Sequence, residues 1–183
     1  TRQFNDRTGL PGPRSWSNQN FPEGKADHPV TDITWYEAAA YAEFRGKKLP
    51  TLFQWEKAAR DGKFTAFVSA MPWGPLQATG ELTYRANFNG QDTVPVDSLE
   101  FGIGPYGCHH MAGNVAEWTS SSYFTNSYTT IADVNPDINY KIRENDPQWM
   151  RRKVIRGGSW RDVAFYLQNG TRDYEYADTS KAY

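Results

Sequence analysis

Few groups of side chains in this chain could do chemistry by their type. Cys108-His109-His110 sets a thiol beside two imidazoles, all ligand types for zinc. Adjacent side chains diverge, however, and structural zinc ligands come from two separated knuckles. The run is therefore expected to be a buried thiol next to two hydrogen-bonded imidazoles. Asp173, Glu175 and Asp178 alternate with Tyr174 and Tyr176, and two carboxyl groups at a fixed separation are what glycoside cleavage requires. On an extended segment Asp173 and Glu175 share one face, but so do the acids of any solvated edge strand. The edge-strand reading is preferred. No Gly-rich phosphate loop and no complete Ser/His/Asp arrangement stands out.

These residues are held by a chain of 183 residues with 38% hydrophobic content, enough for one domain and one core. An aromatic fraction of 15% with seven Trp, against a mean hydropathy of -0.77, suits a loop-rich fold pinned by aromatics. Net charge is -1, with acids and bases interspersed, which excludes a nucleic-acid or anionic-membrane footprint; Arg151-Arg152-Lys153 reads as a solvated face. The single Cys excludes an internal disulfide framework and a multi-cysteine zinc site. No transmembrane segment is expected, and a leader or lipid anchor removed upstream would leave no trace.

Residues 1–29, rich in Gly, Pro, Asn and Ser, predict an ordered loop docked by Trp16 and Phe21. Thr34-Trp35-Tyr36-Glu37 has capping-box spacing and predicts a helix from Trp35 to Arg45, closely packed because it is Ala-rich. Thr51-Leu52-Phe53-Gln54 repeats the device and predicts a second helix from Leu52 to Arg60, stopping at Asp61-Gly62. No segment between Lys63 and Gly107 sustains a helical period, and Thr93 to Val96 reads at best as a short strand. Gly113 to Thr119 predicts a turn feeding a strand, and Lys153 to Gly158 another. Ser120 to Met150, with Tyr123, Tyr128, Tyr140 and Trp149, reads as an excursion loop that is functional or faces a partner.

Four words, taken together and in this order, resemble the formylglycine-generating enzyme, or sulfatase-modifying factor, family. They are His28-Pro29-Val30 to Trp35-Tyr36-Glu37-Ala38; Gly46-Lys47-Lys48-Leu49-Pro50-Thr51 to Trp55-Glu56-Lys57-Ala58-Ala59-Arg60; Met111-Ala112-Gly113-Asn114-Val115-Ala116-Glu117-Trp118-Thr119; and Arg156-Gly157-Gly158-Ser159-Trp160. The resemblance implies an α+β, C-type-lectin-like fold of low regular content, with two short helices and short antiparallel strands. It also implies strands before the first word and a final strand beyond Tyr183, expected here to be truncated or supplied by another chain.

For function, the resemblance implies two copper-binding cysteines at positions that align with Asp162 and Leu167. Neither a carboxylate nor an isobutyl group replaces a soft, redox-competent thiolate, so copper and formylglycine formation are not expected and no catalytic residue is assigned. The related sulfoxide synthases use a histidine iron site from a further helical domain, which His28, His109 and His110 alone cannot build. The family's structural calcium would fall on the carbonyls of Gly113 and Val115 and the carboxylate of Glu117, with His110 in place of the usual side-chain oxygen; the alternative is a tight turn at Gly113-Asn114 with Glu117 paired to an Arg. A second calcium site would begin at Asn87 and Phe88, but only Asp92 offers a carboxylate there and the site is expected to be lost. From Asn135 to Lys181 the chain is similar to lipoproteins of bacterial gliding motility and type IX secretion. That implies a structural component of a periplasm-facing, outer-membrane-anchored assembly, with other protein subunits as partners. Two alternatives stay open: the copper-dependent enzyme acting on sulfatases, and a ligand- or glycan-sensing module binding near Trp160, Arg161 and Asp162.

Overall fold

The computed structural model describes residues 12–18, 20–60, 69–76, 78, 80–127, 136–181 and 183. The expected helix stop at Asp61-Gly62, Tyr128 in the excursion loop, and residues 1–11 of the first loop lie outside them. Both capping boxes form. Thr34 accepts from the Glu37 N–H while the Glu37 carboxylate accepts from the Thr34 N–H at 2.7 Å, starting helix α1, Trp35–Phe44. Thr51 and Gln54 reciprocate in the same way at the start of α2, Leu52–Ala59. Among the described residues, one α-helix that the pattern does not predict, α3, spans Glu81–Arg85 after Gly80. Its five residues are too few for a period to register.

Glu117–Ser122 (β1), Arg152–Arg156 (β2) and Asp173–Tyr176 (β3) form an antiparallel sheet in the order β1-β2-β3. Register places Glu117 opposite Arg156 and Lys153 opposite Glu175, with an irregularity in β1 between Trp118 and Ser122. Low regular content and a small sheet bear out the α+β expectation. Among the described residues no helix is long and apolar enough to cross a membrane.

Tryptophan indoles dock the helices on β1. The Trp35 N–H donates to the Thr119 carbonyl at 2.8 Å, and the Trp55 N–H donates to the Glu117 carboxylate at 2.5 Å. The Leu52 N–H of α2 donates to Ser121 Oγ at 3.0 Å, satisfying a helix-end donor from the sheet side. Trp55, Ala59 and Met111 form one buried cluster, and Met71, Leu82, Ala86, Ala112 and Leu167 another.

Three expectations fail for identifiable reasons. Helix α1 buries no residue, and Tyr41 and Phe44 are exposed; its alanines favour helix without requiring a tight interface. Arg151-Arg152-Lys153 is not a solvated face. Lys153 is buried with its ammonium 4.2 Å from the centre of the Trp35 ring, donating to Asn139 Oδ1 at 2.8 Å and to the Ser120 carbonyl at 3.2 Å. Arg152 lies 4.3 Å over Tyr174. Trp16 and Phe21 meet each other edge to face at 6.1 Å, and Phe21 stays exposed instead of entering the core.

Arg156 is buried inside this frame. Its guanidinium donates to the carbonyls of Thr171, at 2.6 Å, and Asn169, reaches Glu56 Oε2 of α2 at 3.1 Å, and lies 4.8 Å from the centre of the Trp55 ring. Replacing it leaves two carbonyls without their donor, while Glu56 keeps Arg60 at 2.8 Å; at about 1–3 kcal/mol for each unsatisfied buried group, the loss is about 2–6 kcal/mol. Arg156→Met is therefore expected to lower the urea-unfolding free energy by about that amount. A variant within experimental error of wild type would refute this role.

Candidate functional site

The words around Asn87, Asn114 and Trp160 are knitted by main-chain bonds. The Asn114 N–H donates to the Asn87 carbonyl at 2.8 Å, the Trp160 N–H to the Asn114 carbonyl at 2.8 Å, and the Gly113 N–H to the Gly157 carbonyl at 2.8 Å. Gly90 returns a bond to the Trp160 carbonyl at 2.7 Å, and Asn89 one to the Asp162 carbonyl at 2.9 Å. Asn114 itself pairs as a neighbouring strand would. Its side-chain oxygen accepts from the Val94 N–H at 2.9 Å and its amide donates to the Val94 carbonyl at 3.1 Å. No strand forms at Thr93 to Val96, where one was expected; Val94 instead pairs with a side-chain amide. Gly113 has φ of 83°, and a Cβ there would collide with the Asn87 carbonyl, so the close approach requires glycine.

Asp162 and Leu167, the positions aligned with the copper ligands, both have structural employment. Asp162 Oδ2 accepts from the Ser159 N–H and from Ser159 Oγ, each at 2.8 Å, closing the turn after β2. Leu167 is fully buried in the larger apolar cluster. Gly158, with φ of 67°, lets the chain pass so close that a Cβ would lie 3.1 Å from the Leu167 side chain. A carboxylate committed to a turn and a sealed isobutyl group do not fit copper. Cys108 sits elsewhere, half-buried against the Trp55 cluster. Of its neighbouring imidazoles, His110 Nε2 is 3.1 Å from the Pro95 carbonyl, whereas His109 Nδ1 is buried without a hydrogen-bond partner among the described residues. The expectation of two hydrogen-bonded imidazoles therefore holds for His110 and fails for His109 Nδ1. Burial pushes the His110 pKa down. Among the described residues no three His, Cys, Asp or Glu side chains gather as a metal group.

The residues carried over for calcium are brought together only in part. Val115 and Glu117 line a cleft of about 320 Å³ that also includes Asp162, Asp173, Glu175 and Lys181; His110 and Gly113 are not among its walls. Among the described residues Glu117 has no arginine ion pair: its carboxylate takes the Trp55 indole, and burial raises its pKa to about 7. Calcium takes six to eight oxygens, and this set offers two carbonyls, one carboxylate and an imidazole nitrogen. That donor set fits poorly, and no step is drawn through a metal. At the second position, Asp92 is engaged by the Lys25 ammonium at 2.6 Å, a charge already placed where a cation would go. Glu175 pairs with Lys181 and is buried, so the edge strand is less solvated than its alternation suggested. Of the three predicted binding residues, Trp160 faces a different groove, Arg161 lies 5.1 Å from the centre of the Tyr183 ring, and Asp162 lines the cleft.

The Trp55 to Glu117 bond and the hub at Asn114 were not foreseen, because each joins residues far apart in sequence; the only signal was a buried-type Trp and an Asn in a turn.

Comparison with known proteins agrees with these words. The model of the sulfatase-modifying factor enzyme 1-like domain matches residues 5–183. The chain is 39% identical over 142 residues to serine/threonine-protein kinase Pkn1 of Chlamydia trachomatis, covering 76% of this chain and 20% of that protein. It is 32% identical over 148 residues to the formylglycine-generating enzyme of Thermomonospora curvata, covering 74% of this chain and 46% of that one. Among solved structures, Treponema denticola variable protein 1 superposes with a TM-score of 0.60 at 20% identity, over 93% of this chain and 74% of that one. The chain spans less than half the length of these two curated relatives.

Glu117 supplies a pH test. Its folded pKa, about 7, lies above its ordinary 4.5, so the native state holds the proton more tightly. Stability from this group is full below pH 4.5 and falls as pH rises through 7, by about 3 kcal/mol at most. Glu117→Gln keeps an acceptor for Trp55 and should match wild type near pH 4 yet exceed it at pH 8, in unfolding measured with a chelator present. Equal pH profiles would sink the assignment. Added calcium separates the ligand reading: an ion held by Glu117 raises the wild-type melting midpoint at pH 8 and not that of Glu117→Gln.

Proposed function

We propose that this chain, which belongs to the sulfatase-modifying factor enzyme 1-like domain family, is a non-catalytic member that serves as a structural and binding component of a bacterial envelope assembly. One observation carries the first half: both positions that align with the redox cysteines are occupied by residues with structural work, Asp162 in a turn and Leu167 in the core. A thiolate pair cannot be replaced there by any group the described residues bring near, since the lone thiol of Cys108 belongs to the Trp55 cluster. The second half is supported by the similarity of the segment from Asn135 to Lys181 to gliding-motility and type IX secretion lipoproteins. In such a setting the domain would face the periplasm, held at the outer membrane by a lipid anchor on a preceding segment. Exposed aromatics such as Phe101, Tyr106 and Trp149 are the residue types that anchor protein interfaces.

A second reading, a ligand-sensing module, is favoured by the similarity to a region of the chlamydial kinase. Such a module predicts saturable ligand binding by the isolated chain, which an assembly component does not require.

Two measurements test the proposal. Copper(I) titration and oxygen uptake with a cysteine-containing peptide are expected to give neither a stoichiometric site nor peptide-dependent consumption; finding both would restore the enzyme. Purification of the native protein from membranes is expected to bring defined partner chains with it, and a partner-free monomer would remove the assembly reading.

A further inference from the structure

The first loop and the turn after β2 enclose a groove of about 410 Å³ that shares Val30 and Thr31 with the acidic cleft. One wall is aromatic. The Ser17 N–H donates to the Asn20 carbonyl at 3.1 Å and the Asn20 N–H returns a bond at 2.9 Å, a reversal helped by Asn18 at φ of 51°. That reversal sets Trp16 and Phe21 side by side, with ring centres 6.1 Å apart. Trp160 contributes a third ring, and its backbone is pinned by the bonds to Asn114 and Gly90. The other wall is polar and equally fixed. His28 Nδ1 and Thr93 Oγ1 share a 2.7 Å hydrogen bond, the Lys25 ammonium holds Asp92 Oδ2 at 2.6 Å, and Asp92 Oδ1 accepts from the Thr93 N–H at 2.7 Å.

The two walls narrow the ligand by chemistry. An anion is disfavoured, because the ammonium of Lys25 is already neutralised by Asp92. A cation is disfavoured by that same ammonium and by the lack of a second carboxylate among the lining residues. A hydrocarbon tail would take water from the spare acceptor capacity of Asp92 and return no donor, which costs affinity. What remains is a neutral molecule with one apolar face and a rim of groups that both donate and accept. A proline-rich peptide meets the aromatic wall but offers few N–H donors for the Asp92 carboxylate, whose side chain is 65% exposed and acts only as an acceptor when ionised. Sugar hydroxyls both donate and accept, and a pyranose ring has a C–H face that packs on an indole. The groove is within the size range of small-ligand sites.

We infer that the groove between Trp16, Phe21 and Trp160 and the Lys25–Asp92–Thr93–His28 wall is a binding site for a neutral pyranose sugar. This deepens the ligand-sensing reading and uses no part of the assembly reading, so the copper and co-purification results do not bear on it. The test titrates the full chain with glucose, galactose, mannose, N-acetylglucosamine and its β-1,4-linked dimer, following tryptophan fluorescence and saturation-transfer NMR. At least one sugar is expected to bind saturably. Trp16→Ala and Asp92→Asn should each weaken it at least tenfold, with unchanged far-ultraviolet circular dichroism and melting, while Phe44→Ala, an exposed aromatic outside the groove, leaves it intact. The inference is overturned by no saturable binding of any of the five, by binding that both groove variants retain, or by a proline-rich peptide that saturates the same signal where the sugars do not.

Discussion

A buried guanidinium organises this domain. Arg156 leaves β2 into a space where water cannot solvate it, so its donors depend on the protein. Its two terminal nitrogens draw on separate parts of the chain: Glu56 on α2 and the carbonyls at Asn169 and Thr171 in the crossing to β3, with the face of Trp55 beside them. A hydrophobic residue at that place could fill the volume but could not specify which carbonyls converge. The same indole that Arg156 covers turns its N–H to Glu117 across from Arg156 in the ladder. A cation on one strand and a proton-retaining carboxyl group on the next therefore share one tryptophan.

The domain has little regular structure, and loops must supply the order that sheets and helices supply elsewhere. Main-chain groups in those loops need partners as much as those in helices do. Asn114 meets that need for Val94 with a side-chain amide, while Gly113 allows its own backbone to come against Asn87. Because Asn114 also takes the Trp160 N–H, the position of the groove at Trp160 depends on the same turn. Binding surfaces on such a fold are as rigid as the hydrogen bonds behind them.

What could be read in the sequence was local. Thr34 with Glu37 and Thr51 with Gln54 announce helix starts within four residues, and both start where the spacing says. The fold class was legible because four words in fixed order resemble a family, not because any period specified a sheet. Burial was not legible at Lys153, which looks solvated in a basic triplet until Trp35 and Asn139 arrive from distant segments. The Ala-rich face of α1 misled in the opposite sense, since alanine reports helix propensity and not the depth of packing. At the candidate site, Asp162 and Leu167 were recognisable as substitutions, but only the fold tells what they do there.

That distinction matters for what kind of loss the substitutions represent. A site that admits oxygen and a substrate thiol must keep a path to the reacting sulfur. Leu167 instead contacts the cluster of Met71, Leu82, Ala86 and Ala112 with no exposed surface, and full burial of such a side chain is worth about 1.5–3 kcal/mol. Asp162 converts the other position into a turn lock on Ser159. Placing two cysteines there would therefore remove a core side chain and a turn clasp together, at the expense of packing. At these two positions the scaffold is closed by a turn on one side and a core contact on the other, and the aromatic groove is built from different residues.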